Sequence, residues 1–293
     1  MARLMKILGL CAGFGALLMA PAASAQGAGD GLEIRGAPVP GGVNFQPPAT
    51  ELARDLQSLD WFLLAIITVI VLFVTSLLAW SIVRHNARAN PVPATFTHNT
   101  RIELTWTFVP LVILFVIGGF SLPVLFRQQT IPDADVLIKA TGYQWYWGYE
   151  YPEEGIEFLS FMLEEDQLVE YGYGPDEYLL ATDTAIVIPT GQTIVMQVTA
   201  ADVIHSWTIP AFGVKQDGVP GRLAELWFEV DPGMEGIYFG QCSELCGVNH
   251  AYMPITVFAV TPQEYRAWLD GEAQEFASTG TRAPEYLELA AVE

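Results

Sequence analysis

The chain has 293 residues, enough for one sizeable domain plus appendages. It is 52% hydrophobic yet carries a formal charge of −20, so very apolar and very acidic segments must occupy different stretches. That charge excludes nucleic acid as a natural partner and favours a basic one.

Residues 1–25 read as a cleaved secretory signal. Arg3 and Lys6 are followed by a short apolar run from Ile7 to Ala20 and a small-residue site, Ala23-Ser24-Ala25. The run is too short to span a bilayer comfortably, and Leu10 before Cys11 is too large for a lipoprotein signal. Residues 26–58 contain GAPVPGGVNFQPPAT and predict an extended, weakly structured arm. Two uncharged apolar runs follow, Trp61 to Val83 and Leu104 to Phe126, each long enough to cross a membrane. Pro110, Gly118, Gly119 and Pro123 lie inside the second, which membrane helices tolerate. The loop between the runs carries Arg84, Arg88 and Arg101 and no acid. Positive-inside logic therefore places it in the cytoplasm and both chain ends outside, with a helical hairpin over 59–128 in membrane lipid. Thr100-Arg101-Ile102-Glu103 predicts a capping box with Glu103 at its third helical position. Glu103 is also an ionisable group at the membrane edge, and so a functional candidate.

From Thr130 onward the chain holds 27 Asp+Glu against five Lys+Arg. Many of the acids crowd between Glu150 and Glu177. Short β-branched or aromatic runs predict strands at Val136–Ala140, Tyr143–Tyr151, Ala185–Ile188, Thr193–Thr199, Ser206–Ile209, Leu226–Val230, Gly236–Gly240 and Pro254–Val260. Many short strands separated by Pro/Gly turns argue for a β-sandwich or barrel over 130–270. Thr261-Pro262-Gln263-Glu264 predicts a capped terminal helix, and the tail 271–293 is expected to be loosely held. In Tyr143-Gln144-Trp145-Tyr146-Trp147, strand alternation would put Trp145 and Trp147 on one face, so periodicity does not choose between them.

The chemistry concentrates in GQCSELCGVNHAYM, residues 240–253. Cys242, Cys246, His250 and Met253 fall within a dozen residues, and His205 lies upstream in DVIHSW. Thiolates and a thioether completed by imidazoles are a copper-type donor set, and the second thiolate is one more than a mononuclear blue-copper site takes. The surplus suggests two coppers sharing both sulfurs. The competing reading is a disulfide between Cys242 and Cys246, which would leave His250 and Met253 unexplained.

The run QCSELCGVNHAYM resembles the binuclear copper (CuA) loop of subunit II of the haem-copper cytochrome c oxidases. The resemblance covers nearly the whole chain after the leader: two apolar spans, GYQWYWGYEY, DVIHSW, KQDGVPGR and the copper loop, in the family's order. Nitrous-oxide reductase has a similar loop but would need a longer chain with many more histidines than the four present. A copper-free quinol-oxidase subunit should lack the cysteines. A membrane-tethered copper carrier outside an oxidase would need neither two spans nor Glu103.

The resemblance implies a membrane-anchored all-β protein, a two-helix transmembrane hairpin followed by a cupredoxin-like Greek-key β-barrel, in the bacterial inner membrane. It implies a subunit of a proton-translocating oxidoreductase that takes electrons from cytochrome c and passes them to haem centres in subunit I. Cys242 and Cys246 would bridge two coppers, His205 and His250 would each bind one, and Met253 and the Glu244 carbonyl would be weak axial ligands. The Glu244 side chain is either an exposed acid or a ligand for magnesium or manganese shared with subunit I, as hard carboxylate oxygen suits. Trp145 would pass electrons inward, and Glu103 would stand at the mouth of a proton channel. Glu150 and Asp202 match the family's docking positions for cytochrome c, and Glu157 is a local addition to them. The other oxidase subunits are the remaining partners implied.

Overall fold

The computed structural model describes residues 31–279, with side chains described as far as Gly271. The signal expected at 1–25 and the tail beyond 279 lie outside the described residues. Two long helices, α1 (Glu51–Arg84) and α2 (Thr100–Gln129), follow a short strand at Ile34–Gly36. At 1.5 Å per residue they reach about 50 and 45 Å, longer than the ~30 Å hydrocarbon core of a bilayer. The apolar window of each is uncovered by the rest of the chain. Arg127, near the end of α2, pairs with Glu51 and Asp55 at the start of α1, so the helices run antiparallel.

Helix α1 begins inside the segment expected to be an extended arm. Its first turns are amphipathic rather than apolar, which is why hydropathy misses them. Leu52 and Ala53 are buried, while Glu51, Arg54 and Asp55 make ion pairs. Thr50 is the cap and is fully buried: its Oγ1 accepts from the Ala53 amide at 3.0 Å and donates to the Phe212 carbonyl at 2.8 Å. Thr50→Ala removes the cap and orphans a buried carbonyl, a loss of about 2–3 kcal/mol. Faster hydrogen exchange at the Ala53 amide checks this. The capping box of α2 sits one residue earlier than expected. Asn99 is the cap, its side chain accepting from the Arg101 and Ile102 amides, and Glu103 reaches back to the Asn99 amide at 3.3 Å.

The remaining chain is β-rich. The strands are β1 (Ile34–Gly36), β2 (Val136–Tyr143), β3 (Tyr146–Tyr151), β4 (Ile156–Ser160), β5 (Ile186–Pro189), β6 (Ile194–Ala200), β7 (His205–Ile209), β8 (Val214–Gly218), β9 (Ala224–Phe228), β10 (Gly236–Gln241) and β11 (Pro254–Val260). One sheet has the order β4-β3-β2-β6-β9, a second β1-β10-β11-β5, and β7 pairs with β8 alone. Neighbours that are not consecutive in the chain, such as β2 with β6 and β5 with β11, mark the crossovers of a Greek-key arrangement. β2 alternates buried and half-buried residues, as a strand with one face on the core must. β11 is buried at every position. Trp147, Trp207, Tyr149, Tyr151, Tyr238 and Phe212 are the largest fully buried side chains among the described residues.

Two membrane-length helices followed by a cupredoxin-like β-domain are the architecture the sequence predicts. Three strands escape the sequence reading. β1 lies in the Gly/Pro-rich arm, β4 carries the acidic segment's Glu157, and β8 (VKQDG) has too few apolar residues to show a pattern. The expected single strand Tyr143–Tyr151 is a hairpin: Tyr143 pairs with Tyr146, so Gln144 and Trp145 form its two-residue turn. The final helix, α3 (Pro262–Thr279), starts on the predicted box, with Thr261 and Glu264 bonding each other's amides. It continues past Gly271, where a loose tail was expected.

Candidate metal centre

β10 ends at Gln241 and β11 begins at Pro254, and these two residues face each other across the antiparallel pair. The loop between them is therefore pinned at its base, and it carries every donor except His205. His205 opens β7 and is fully buried. The Sγ atoms of Cys242 and Cys246 are 3.8 Å apart, and both thiols are free and buried. His205 Nδ1 lies 3.8 Å from Cys242 Sγ, and His250 Nδ1 lies 3.5 Å from Cys246 Sγ. Met253 Sδ is 3.5 Å from Cys246 Sγ, and the Glu244 carbonyl accepts from Cys242 Sγ at 3.3 Å. The ligand atoms of His205, Cys242 and Cys246 all fall within 4.8 Å of one another. Two thiols, two imidazole nitrogens, a thioether and a carbonyl converging on one small volume fit a thiolate-bridged copper pair by donor chemistry.

Residues around these donors hold them. A Cβ at Gly142 would lie 2.8 Å from the His205 ring, so only glycine lets the imidazole seat there. Trp147 meets that ring edge-on at 6.0 Å, and its Nε1–H donates to the Met253 carbonyl at 3.2 Å. Asp202, expected as a docking acid, faces His205 Nε2 at 2.8 Å and accepts from the amides of Gln144 and Val203. A carboxylate on Nε2 leaves Nδ1 free toward Cys242, the usual second-layer partner of a metal-binding imidazole. Gly142 and Trp147 reach the site from other strands, whereas Asp202 stands only three residues before His205.

The thiols differ. Burial pushes both up, but Cys242 is brought down to about 7 by His205 and by hydrogen bonds at the Glu244 and Ser206 backbone. Cys246 is pushed up to about 12 by burial and by the charge on Cys242. Burial pulls His205 down, yet Cys242 and Asp202 outweigh it and hold the imidazole above its usual value. In the reduced, metal-free protein, thiolate absorbance should therefore rise by one thiolate centred near pH 7, the second following only in strong alkali. The folded value for Cys242 lies below the ordinary thiol range. Its contribution to stability is thus complete above about pH 8.5 and fades as pH falls through about 7.

The remaining candidates are spread out. Trp145 is half-buried at the hairpin turn, while Trp147 points into the core. They do not share a face, because the turn interrupts the alternation assumed from the sequence. Trp145 lines a surface hollow with Tyr146, Phe161, Asn249 and Tyr252. Glu150 is bonded to Lys139 at 2.6 Å, and Glu157 faces Glu150 on the next strand. Burial, then the Glu150 charge, raises Glu157. The Glu244 side chain is exposed. Glu103 lies in the first turn of α2, a helix length from the β-domain.

Residues 136–260 match the family described as cytochrome c oxidase subunit II, periplasmic domain, and residues 38–124 match its transmembrane domain. Cytochrome c oxidase subunit 2 of Cereibacter sphaeroides is 56% identical over 276 residues, covering 89% of this chain and 90% of that one. The probable cytochrome c oxidase subunit 2 of Rickettsia bellii is 46% identical over 234 residues, covering 79% and 84%. The crystal structure of the periplasmic domain of subunit II of Bradyrhizobium japonicum cytochrome oxidase is 45% identical, covers 50% of this chain and 99% of that one, and has a TM-score of 0.45. With two membrane-length helices, a periplasmic β-domain and a His/Cys/Cys cluster able to hold metal, the chain belongs to the cytochrome c oxidase subunit II family.

Proposed function

We propose that this chain is the electron-accepting subunit of a haem-copper oxidase in a bacterial inner membrane. It takes electrons from cytochrome c at a binuclear copper centre and hands them to the haems of subunit I for oxygen reduction coupled to proton pumping. The observation that carries this reading is the convergence of Cys242, Cys246, His205, His250, Met253 and the Glu244 carbonyl. Bound copper would supply reversible one-electron chemistry. Cys242 and Cys246 as thiolates, His205 and His250 through Nδ1, and Met253 with the Glu244 carbonyl would together hold the copper.

The protein's own work is to keep the donors still and water out. Asp202 orients His205, and Trp147 fixes the Met253 backbone. Trp145, at the surface beside the loop, would receive the electron. The acidic field of the domain, including Asp202, Glu150 and Glu157, would steer basic cytochrome c. Part of the Glu150 charge is spent on Lys139. The exposed Glu244 side chain would meet magnesium or manganese shared with subunit I. Glu103, half-exposed at the Arg-rich end of α2, would collect protons from the cytoplasmic side. Copper domain and both chain ends would then face the periplasm, with lipid against both helices.

The test is purification of the complex by a tag on this chain. Co-purified subunit I, about two coppers per chain and a copper reduction rate by cytochrome c that falls steeply with salt are expected. Two coppers without any oxidase subunit would instead make this a tethered copper carrier.

A further inference from the structure

We propose that Gln144 is a positioning residue that clamps the Trp145 turn onto the metal loop and so sets the rate of electron uptake. This rests on the reading of Trp145 as the receiving group. Gln144 is exposed, yet its side chain is committed to one contact: Nε2–H donates to the Cys246 carbonyl at 2.7 Å. Its own amide donates to Asp202 Oδ2 at 2.7 Å, and the other oxygen of that carboxylate faces His205 Nε2 at 2.8 Å. One turn residue is thus tied by its main chain to the group that orients one metal donor and by its side chain to the carbonyl of another.

The Trp145 ring completes the clamp. A Cβ at Gly247 would meet Trp145 Cζ2 at 2.9 Å, Nε1 at 3.3 Å and Gln144 Nε2 at 3.2 Å. Gly247 also has φ of 129°, where other residues are strained. The indole therefore rests directly on the backbone beside Cys246. Its Nε1 is buried without a partner, so no hydrogen bond of its own holds it there. Stacked Tyr143 and Tyr146 rings, 4.8 Å apart, stiffen the hairpin at its base. What fixes the indole against the loop is the Gln144 amide. A short bonded route from Trp145 through the Gln144 side chain to the Cys246 carbonyl comes with it.

Gln144→Met keeps the side-chain length and removes the donor. In the assembled oxidase, the rate of copper reduction at saturating cytochrome c should fall about tenfold, as misplaced reacting groups slow a step, while the dissociation constant for cytochrome c changes by less than about twofold. The electron paramagnetic resonance spectrum of the copper pair should be unchanged. In the metal-free chain, hydrogen exchange across Tyr143–Tyr146 should quicken. An unchanged reduction rate, a weakened cytochrome c complex alone, or an altered copper spectrum would each overturn the clamp. Trp145→Phe run beside it separates the two readings. If that variant is as fast as the parent, the receiving role of Trp145 fails; if it is slow and Gln144→Met is not, only the clamp fails.

Discussion

Cys246→Ser is expected to take the copper content from about two per chain to one or none and to erase the evenly shared spectrum of a bridged pair. The Cys246 sulfur is the hub of the cluster: Cys242 Sγ lies 3.8 Å away, and His250 Nδ1 and Met253 Sδ each 3.5 Å away. Serine has nearly the same shape but offers a hard hydroxyl in place of a soft thiolate. Loss of a partner to a ligand commonly costs 10–100-fold in metal affinity or activity, and loss of a bridging ligand should exceed the upper end of about 100-fold. The fold should survive, since the substitution is close to isosteric and β10 and β11 still pin the loop at Gln241 and Pro254. Copper analysis, resonance spectra and circular dichroism on the same preparation check all three statements. Two coppers retained with the electron still evenly shared would sink the bridged-pair reading.

That site was legible because four of its donors sit on one contiguous loop, where spacing alone brings out the pattern. His205 is different. It is separated from Cys242 by most of β7, β8, β9 and β10, so donor chemistry and the family likeness, not spacing, join the two in the sequence. The groups that position the donors were not legible at all. Asp202 reads as a docking acid, and only the turn after β6 shows its carboxylate set on the Nε2 of His205, three residues on. Gln144 reads as a polar residue in a strand until Tyr143 and Tyr146 close a hairpin around it. The membrane spans were legible from apolar length. The start of α1 was not, because Thr50, Leu52 and Ala53 are fixed by contact with the β-domain rather than by lipid.

Trp147→Ala is expected to have the larger effect on folding, and comparison with Trp147→Phe divides that effect into packing and hydrogen bonding. Trp147 is fully buried between the His205 ring and the backbone of Met253. Removing the indole opens a cavity under a metal donor at a cost of about 3–5 kcal/mol. Phenylalanine refills most of that space but leaves the Met253 carbonyl without the donor it had at 3.2 Å, which costs about 1–3 kcal/mol for a buried group. Denaturant unfolding of the copper-loaded and copper-free forms measures both. The copper-loaded Phe variant should also show a shifted spectrum, because Met253 is held by that bond and its sulfur lies 3.5 Å from Cys246 Sγ. The same two tryptophans that alternation could not tell apart thus have separable signatures. Substitution at Trp145 should change the rate of reduction and leave the spectrum alone; substitution at Trp147 should change stability and spectrum together. A Trp147→Phe chain with parental stability and an unshifted spectrum would mean that the indole only fills space.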